Sequence, residues 1–175
     1  NVNNASTGAG NPPQRRSTVA KWVNTSSVIS SVNIFNSDSG NYDIGSEVVV
    51  LGYDPDDTHT TNFWEELANI ELTSASTEVS SGVFTAKKYL WVQIYCLGDG
   101  ASDMNGRIQV GNSSGFDTAN KYAERQTTNG ANPDGVSGGS GQDHFPAFNG
   151  GRFGNFSNMF VINNTSTEKL FIIND

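Results

Sequence analysis

The stretch Tyr89-Leu90-Trp91-Val92-Gln93-Ile94-Tyr95-Cys96 constrains the fold of this chain more than any other. Side chains alternate across an extended strand, so Leu90, Val92, Ile94 and Cys96 share one side while Tyr89, Trp91, Gln93 and Tyr95 share the other. A helix would scatter both sets around its circumference. The segment therefore reads as a β-strand with an aliphatic core face and a mainly aromatic opposite face.

Further β-branched and aromatic runs recur along the chain, separated by the Gly, Asn, Ser and Asp of polar turns. Residues 28–35 predict a strand with Val28, Val32 and Ile34 on one face. Val48-Val49-Val50-Leu51 is a continuous run that suggests burial on both faces. Met159-Phe160-Val161-Ile162 and Lys169-Leu170-Phe171-Ile172-Ile173 predict two strands joined as a hairpin by residues 163–168. Shorter strands are expected at residues 19–23, carrying Trp22, and at 81–85, 107–110 and 122–127. Residues 62–68 predict one helical turn, with Asn62 as its N-cap and Glu65 and Glu66 near its positive end. Residues 129–141 hold Gly130, Gly135, Gly138, Gly139 and Gly141 and read as a long surface loop. Together these segments predict an all-β, antiparallel, jelly-roll-like sandwich of about eight or nine short strands. Its expected core is Val32, Ile34, Val48, Val50, Leu90, Val92, Ile94, Phe160, Ile162, Leu170 and Ile172.

At 175 residues the chain suits one domain, large enough to bury roughly 70% of its unfolded surface without staples. Residues 1–16, with Gly8, Gly10 and Pro12-Pro13, read as an extended arm or linker, and residues 17–175 as the domain. Only 35% of residues are hydrophobic and 16% charged, but the apolar ones are grouped into runs, which separates this composition from a disordered one. The net charge of −8 repels nucleic acid and anionic membranes, so neither is an expected partner. Arg15-Arg16 and Lys87-Lys88 read as solvated edges. No apolar run approaches the ~18 residues of a membrane helix. The sequence opens on Asn1 without an initiator Met or signal-peptide pattern and stops at Asp175 after an apolar run. This reads as a processed product or a piece of something longer.

Chemistry-bearing patterns are sparse. Asp54, Asp56 and Asp57, with His59 nearby, form the densest acid cluster and the one weak calcium candidate, because Ca²⁺ takes six to eight oxygens. Pro55 and Asp57 break the EF-hand spacing, and a solvated loop is the expected reading. Asp99 and Asp103 stand in a Gly-rich turn with a weaker claim. Glu65-Glu66 are adjacent and point to different faces, unlike the flanking carboxylates of a glycosidase. His59 and His144 fall in loops and match no metal or triad pattern. Cys96, the only cysteine, alternates with core residues and reads as a buried small hydrophobe rather than a thiolate. Asn4, Asn24, Asn112, Asn155, Asn163 and Asn164 begin Asn-x-Ser/Thr patterns, which are frequent by chance in so Asn-, Ser- and Thr-rich a chain. The outward aromatic set is more informative. Tyr89, Trp91 and Tyr95, with Trp22 and Trp64, are the candidates for a subunit interface or a glycan platform.

The phrases Ala20-Lys21-Trp22-Val23-Asn24-Thr25-Ser26, Gly45-Ser46-Glu47-Val48-Val49-Val50-Leu51-Gly52, Thr61-Asn62-Phe63-Trp64-Glu65-Glu66-Leu67, Thr85-Ala86-Lys87-Lys88-Tyr89-Leu90 and Met159-Phe160-Val161-Ile162-Asn163-Asn164, then Glu168-Lys169-Leu170, are distributed over most of the chain. In combination they resemble poorly characterised structural proteins of marine bacteriophages, which occur as β-rich modules in virions. The resemblance implies no catalytic residues. It also implies a wrapped order: the strand at residues 168–173 would ordinarily precede a linker like residues 8–16. Modules in tandem, or subunits that exchange a terminal strand, are therefore expected.

The resulting expectation is a structural virion module of fibre, spike or decoration type, at the virion surface or an appendage and extracellular. It would assemble with copies of itself through aromatic faces and strand edges. A glycan-binding adhesin module and a filament subunit built by strand exchange are the alternatives. Neither an enzyme nor a cofactor is expected.

Overall fold

The computed structural model of the chain describes residues 2–3, 14–54, 64–99, 102–128, 142–149 and 154–174. Among these residues the regular structure consists of thirteen strands: β1 (Val2–Asn3), β2 (Gln14–Trp22), β3 (Ser31–Asn36), β4 (Glu47–Tyr53), β5 (Glu65–Glu71), β6 (Glu78–Ser80), β7 (Tyr89–Cys96), β8 (Asn105–Asn112), β9 (Gly115–Phe116), β10 (Tyr122–Thr128), β11 (Phe145–Asn149), β12 (Asn155–Ile162) and β13 (Lys169–Asn174). They form an antiparallel β-sandwich. The larger sheet runs β10-β2-β13-β12-β7-β4-β5, and the smaller runs β11-β8-β3-β6 with β9 folded back on β8.

One strand position of the larger sheet is filled twice. β13 lies between β12 and β2, with Asn174 opposite Asn158 and Ser17. β1 lies between the same two strands, with Val2 opposite Phe156 and Arg15. The two are in line and run in the same direction, one residue position apart. The segment read as an arm therefore contributes β1 and, from Gln14, the first residues of β2.

The core lies between the sheets. Val48, Val50, Leu90, Val92, Ile94, Val32 and Ile34 are all buried there as expected, together with Cys96. Four expected core residues are not. Phe160, Ile162, Leu170 and Ile172 point outward, and Met159, Val161, Phe171 and Ile173 fill the interior instead. β12 and β13 are apolar on both faces, so their own sequence cannot choose a side. Pairing with β7 chooses: Met159 and Val161 sit opposite the inward Val92 and Leu90, which leaves Phe160 opposite the outward Trp91.

Two inward polar residues hold the β12–β13 hairpin in this phase. Asn163 is buried, accepts a hydrogen bond from Ile29 N at 2.7 Å and donates to the carbonyls of Ile29 and Lys87, each at 2.9 Å. Lys169 is fully buried, with Nζ donating to the carbonyls of Asn24 at 3.1 Å and of Thr167, and lying 6.0 Å from the centre of the Trp22 ring. Burial holds its amine below the usual lysine range.

The helical turn expected at residues 62–68 is absent where the structure describes it: Glu65–Glu71 is an edge strand on β4, while Asn62 lies outside the described residues. A bulge explains the misreading. Val50 faces Ala68 and Leu51 faces Glu66, so Leu67 is the extra residue, and both Leu67 and Ala68 pack on the core. No strand forms at 81–85, where one is expected; the strand of this region is Glu78–Ser80 and ends before it. The glycine-rich loop at 129–141 lies outside the described residues.

Replacing Asn163 by Ala strands three buried backbone groups and is expected to lower unfolding free energy by about 2–4 kcal/mol, measured by urea titration. A second expectation concerns pH. Burial raises the Cys96 thiol far above its ordinary 9.0. The unfolded thiol therefore ionises first, and the stability this group contributes is full below pH 9 and lost as pH rises beyond it. Between pH 9 and 10 the stability of wild type relative to Cys96→Ala should fall by roughly 1 kcal/mol per pH unit. Parallel curves for the two proteins would refute this.

Candidate functional site: the outer face of the larger sheet

The strand register aligns outward side chains into lines that cross the larger sheet. One line holds Val19, Ile172, Phe160, Trp91 and Leu51, on five neighbouring strands. The next holds Lys21, Leu170, Ile162, Tyr89 and Tyr53. Both are apolar except for Lys21, whose amine is paired with Glu168 at 2.8 Å at the margin. The third line turns polar, with Asn174, Asn158 and Gln93. The fourth returns Phe156 beside Tyr95.

Leu51, Tyr53, Tyr89 and Trp91 are partly buried, while exposure is high on β2, β13 and β12, at 59% for Val19, 50% for Leu170, 53% for Ile172 and 42% for Phe160. These are not isolated surface hydrophobics but neighbours in one ladder, which is the informative case. A shallow groove of about 530 Å³ lies over them, lined by Val19, Tyr53, Trp64, Tyr89, Phe160, Ile162, Leu170 and Ile172.

Aromatic rings build one end of the face. Trp91 lies nearly parallel to Phe160, with ring centres 5.4 Å apart, and Tyr53 nearly parallel to Tyr89 at 6.1 Å. Trp64, just before β5, meets Trp91 edge-on at 5.9 Å and Tyr53 at 6.2 Å. The rings thus hold one another in place. The Trp91 indole N–H is directed into the polar line and donates to Asn158 Oδ1 at 3.2 Å.

Of the sequence candidates, Tyr89, Trp91 and Trp64 come together here, and Tyr95 stands two lines away on the same face. Trp22 does not belong. It is buried, its Nε1 donates to Asp117 at 2.9 Å, and its ring helps cover the Lys169 amine. Sequence reasoning missed Tyr53, Phe160, Ile162, Leu170, Ile172 and Val19. The available signal was two-sided apolarity in β12 and β13, which an antiparallel sheet with one wet face does not need.

The remaining candidates stay apart from this face or from one another. Glu65 pairs with Lys87 at 2.9 Å on edge strand β5, where Glu66 is exposed. His144 lies beside Asp143 at 2.6 Å and meets Phe35 edge-on; burial sets its pKa below the ordinary value. Asp54 precedes a segment in which Asp56, Asp57 and His59 lie outside the described residues. Asp99 and Asp103 are exposed. Among the described residues, no three His, Cys, Asp or Glu side chains converge as a metal would require. Asn155 and Asn163, two of the Asn-x-Ser/Thr positions, are buried in the fold.

The smaller sheet differs on its outer side. Ser31, Asn33 and Gln109 are buried polar residues there, and Gln109 donates to the Asp143 carbonyl at 3.1 Å. In comparisons with known proteins, no family model, curated protein or solved structure matches this chain.

Proposed function

We propose that this protein is a structural module of a bacteriophage virion, of fibre, spike or decoration type, whose work is contact rather than turnover. The observation that carries the proposal is the outer face of the larger sheet: two adjacent apolar lines, exposed on β2, β13 and β12 and partly buried on β7 and β4, on a domain that already has a full core. Burial of such a face against a neighbouring module supplies the driving force for assembly. The jelly-roll-like reading follows from the number and spacing of the short strands, and the surface location from the resemblance of the sequence to virion modules. The in-line β13 and β1 support the companion expectation that terminal strands are shared between neighbouring modules.

Strand edges are the weaker route. Edge strand β5 carries Glu65, Glu66 and Glu71 and a bulge, and edge strand β11 carries Pro146 and a register shift. Such features oppose strand addition. A glycan platform is favoured only at the Tyr53–Tyr89–Trp64 end, where hydroxyl groups accompany aromatic rings. Against it, the paired rings use their faces on one another, and the rest of the groove lining is aliphatic, whereas ligand sites add placed polar groups.

Trp91→Ala is expected to weaken assembly about tenfold or more while leaving the far-UV spectrum and the unfolding midpoint near wild type. Sedimentation velocity and electron microscopy of the purified chain would measure this. A glycan array should give no sugar-specific signal; a strong one that is lost in the same variant would transfer the face to the adhesin reading.

A further inference from the structure

We infer that the partner of the outer face is a second copy of this chain, packed sheet on sheet about a two-fold axis that passes near Phe160 and Ile162 of β12. The inference rests on the reading of this face as an assembly surface and adds the occupant and its geometry.

Area is the first argument. Phe160 and Phe156 present roughly 150–250 Å² each when fully exposed and the aliphatic Val19, Ile162, Leu170 and Ile172 somewhat less, so exposures of 38–59% over these six leave on the order of 500 Å² of largely apolar surface. Part of Trp91 and Tyr89 adds to it. That lies at the top of the ~300–600 Å² patch of an ordinary monomer. Doubled across two copies and widened by a polar rim, it reaches the ~1,200–2,000 Å² of a specific interface.

Charge is the second. The chain carries a net charge of −8, and most approaches of one copy to another bring acids together. The two apolar lines contain one charged side chain, Lys21, already neutralised by Glu168 at the margin. Two copies meeting through this face oppose no like charges at its centre. A partner selected by charge would find nothing there to read.

Geometry is the third. The exposed members of the two lines stand on β2, β13 and β12, and partly buried Trp91 and Tyr89 continue them on β7, so the centre of the patch falls between β13 and β12, beside Phe160 and Ile162 and their partners Ile172 and Leu170. In an isologous pairing the centre of a self-complementary patch lies on the symmetry axis. Packed sheets stand ~10 Å apart, beyond the Cα–Cα reach of ~7 Å at most for a disulfide. A short bis-maleimide therefore suits the test better than oxidation does. The native Cys96 is fully buried and leaves a clean background.

The experiment joins sedimentation equilibrium of the wild-type chain to thiol cross-linking of Phe160→Cys and Ile162→Cys, with exposed Val83→Cys as a remote control. Expected are a concentration-dependent dimer that tightens severalfold as salt rises, because screening relieves the mutual repulsion of the acidic copies, and cross-linked dimer from both central variants but not from the control. Ile172→Asp should abolish both signals. If the chain self-associates and Ile172→Asp prevents it, yet neither central variant cross-links to itself, the two-fold geometry is overturned while the assembly reading stands. A chain that stays monomeric at every concentration and salt overturns the second copy as the occupant. If Trp91→Ala also leaves larger assemblies intact, the assembly reading falls with it.

Discussion

The pairing of β12 with β7 decides how this molecule meets its surroundings. β7 has two unlike faces, aliphatic inside and aromatic or polar outside. β12 has two similar ones, and its outward set of Phe156, Asn158, Phe160 and Ile162 is more apolar than its inward set of Asn155, Ser157, Met159 and Val161. Side-chain hydrophobicity within β12 therefore argues for the opposite phase. A slip of one residue would reverse every side chain. The observed phase persists because the ends of the hairpin are anchored: Asn163 and Lys169 face inward and satisfy carbonyls of residues 24, 29, 87 and 167. Reversal would expose those carbonyls or leave them without donors, at about 1–3 kcal/mol each.

The consequence is apolar surface withheld from the core. On the order of 500 Å² at ~25 cal/mol per Å² corresponds to roughly 12 kcal/mol of burial that the isolated domain does not realise. Little of that would survive as affinity, since association costs translational freedom and side-chain ordering. Even a modest fraction suffices to hold modules together. The distribution of the surface matters as much as its amount. The outer side of the smaller sheet carries the polar residues Ser31, Asn33 and Gln109, and β5 and β11 bear acids, bulges or proline. Stickiness is concentrated on one face and limited at these edges, which favours a defined contact over open-ended strand addition.

Much of this was legible in the sequence where a strand has unlike faces. β3 and β7 announced their inward residues, and the outward Tyr89 and Trp91 followed from the same alternation; in β4 the run Val48-Val49-Val50-Leu51 suggests burial on both faces, and only Val48 and Val50 of it are fully buried. Legibility failed where both faces are apolar, at Met159-Phe160-Val161-Ile162 and Leu170-Phe171-Ile172-Ile173, because periodicity identifies the two faces without saying which one is inside. It failed also at Leu67, where a bulge interrupts the period and imitates a helical turn, and at Trp22, whose burial depends on Asp117 and Lys169, far away in sequence. Tyr53 was passed over because the acidic residues that follow it suggested a loop. The cue that would have recovered the face is the placement of Asn163 and Lys169: polar residues at the mouth of a hairpin, in phase with one another, mark the side that can satisfy them.

The segregation of chemistry from contact completes the argument. Tyr42, Cys96, Tyr122 and Lys169, whose ionisation the fold displaces, are buried in the interior and shifted chiefly by desolvation. Tyr122 is further committed by donating to the Asp117 carbonyl at 2.7 Å. Among the described residues, the groove over the larger sheet is lined by rings and aliphatic chains whose titratable members are tyrosines, while these four groups stand on the inner side of the sheet. A face of that kind discriminates by shape and by exclusion of water, which is how one protein surface recognises another.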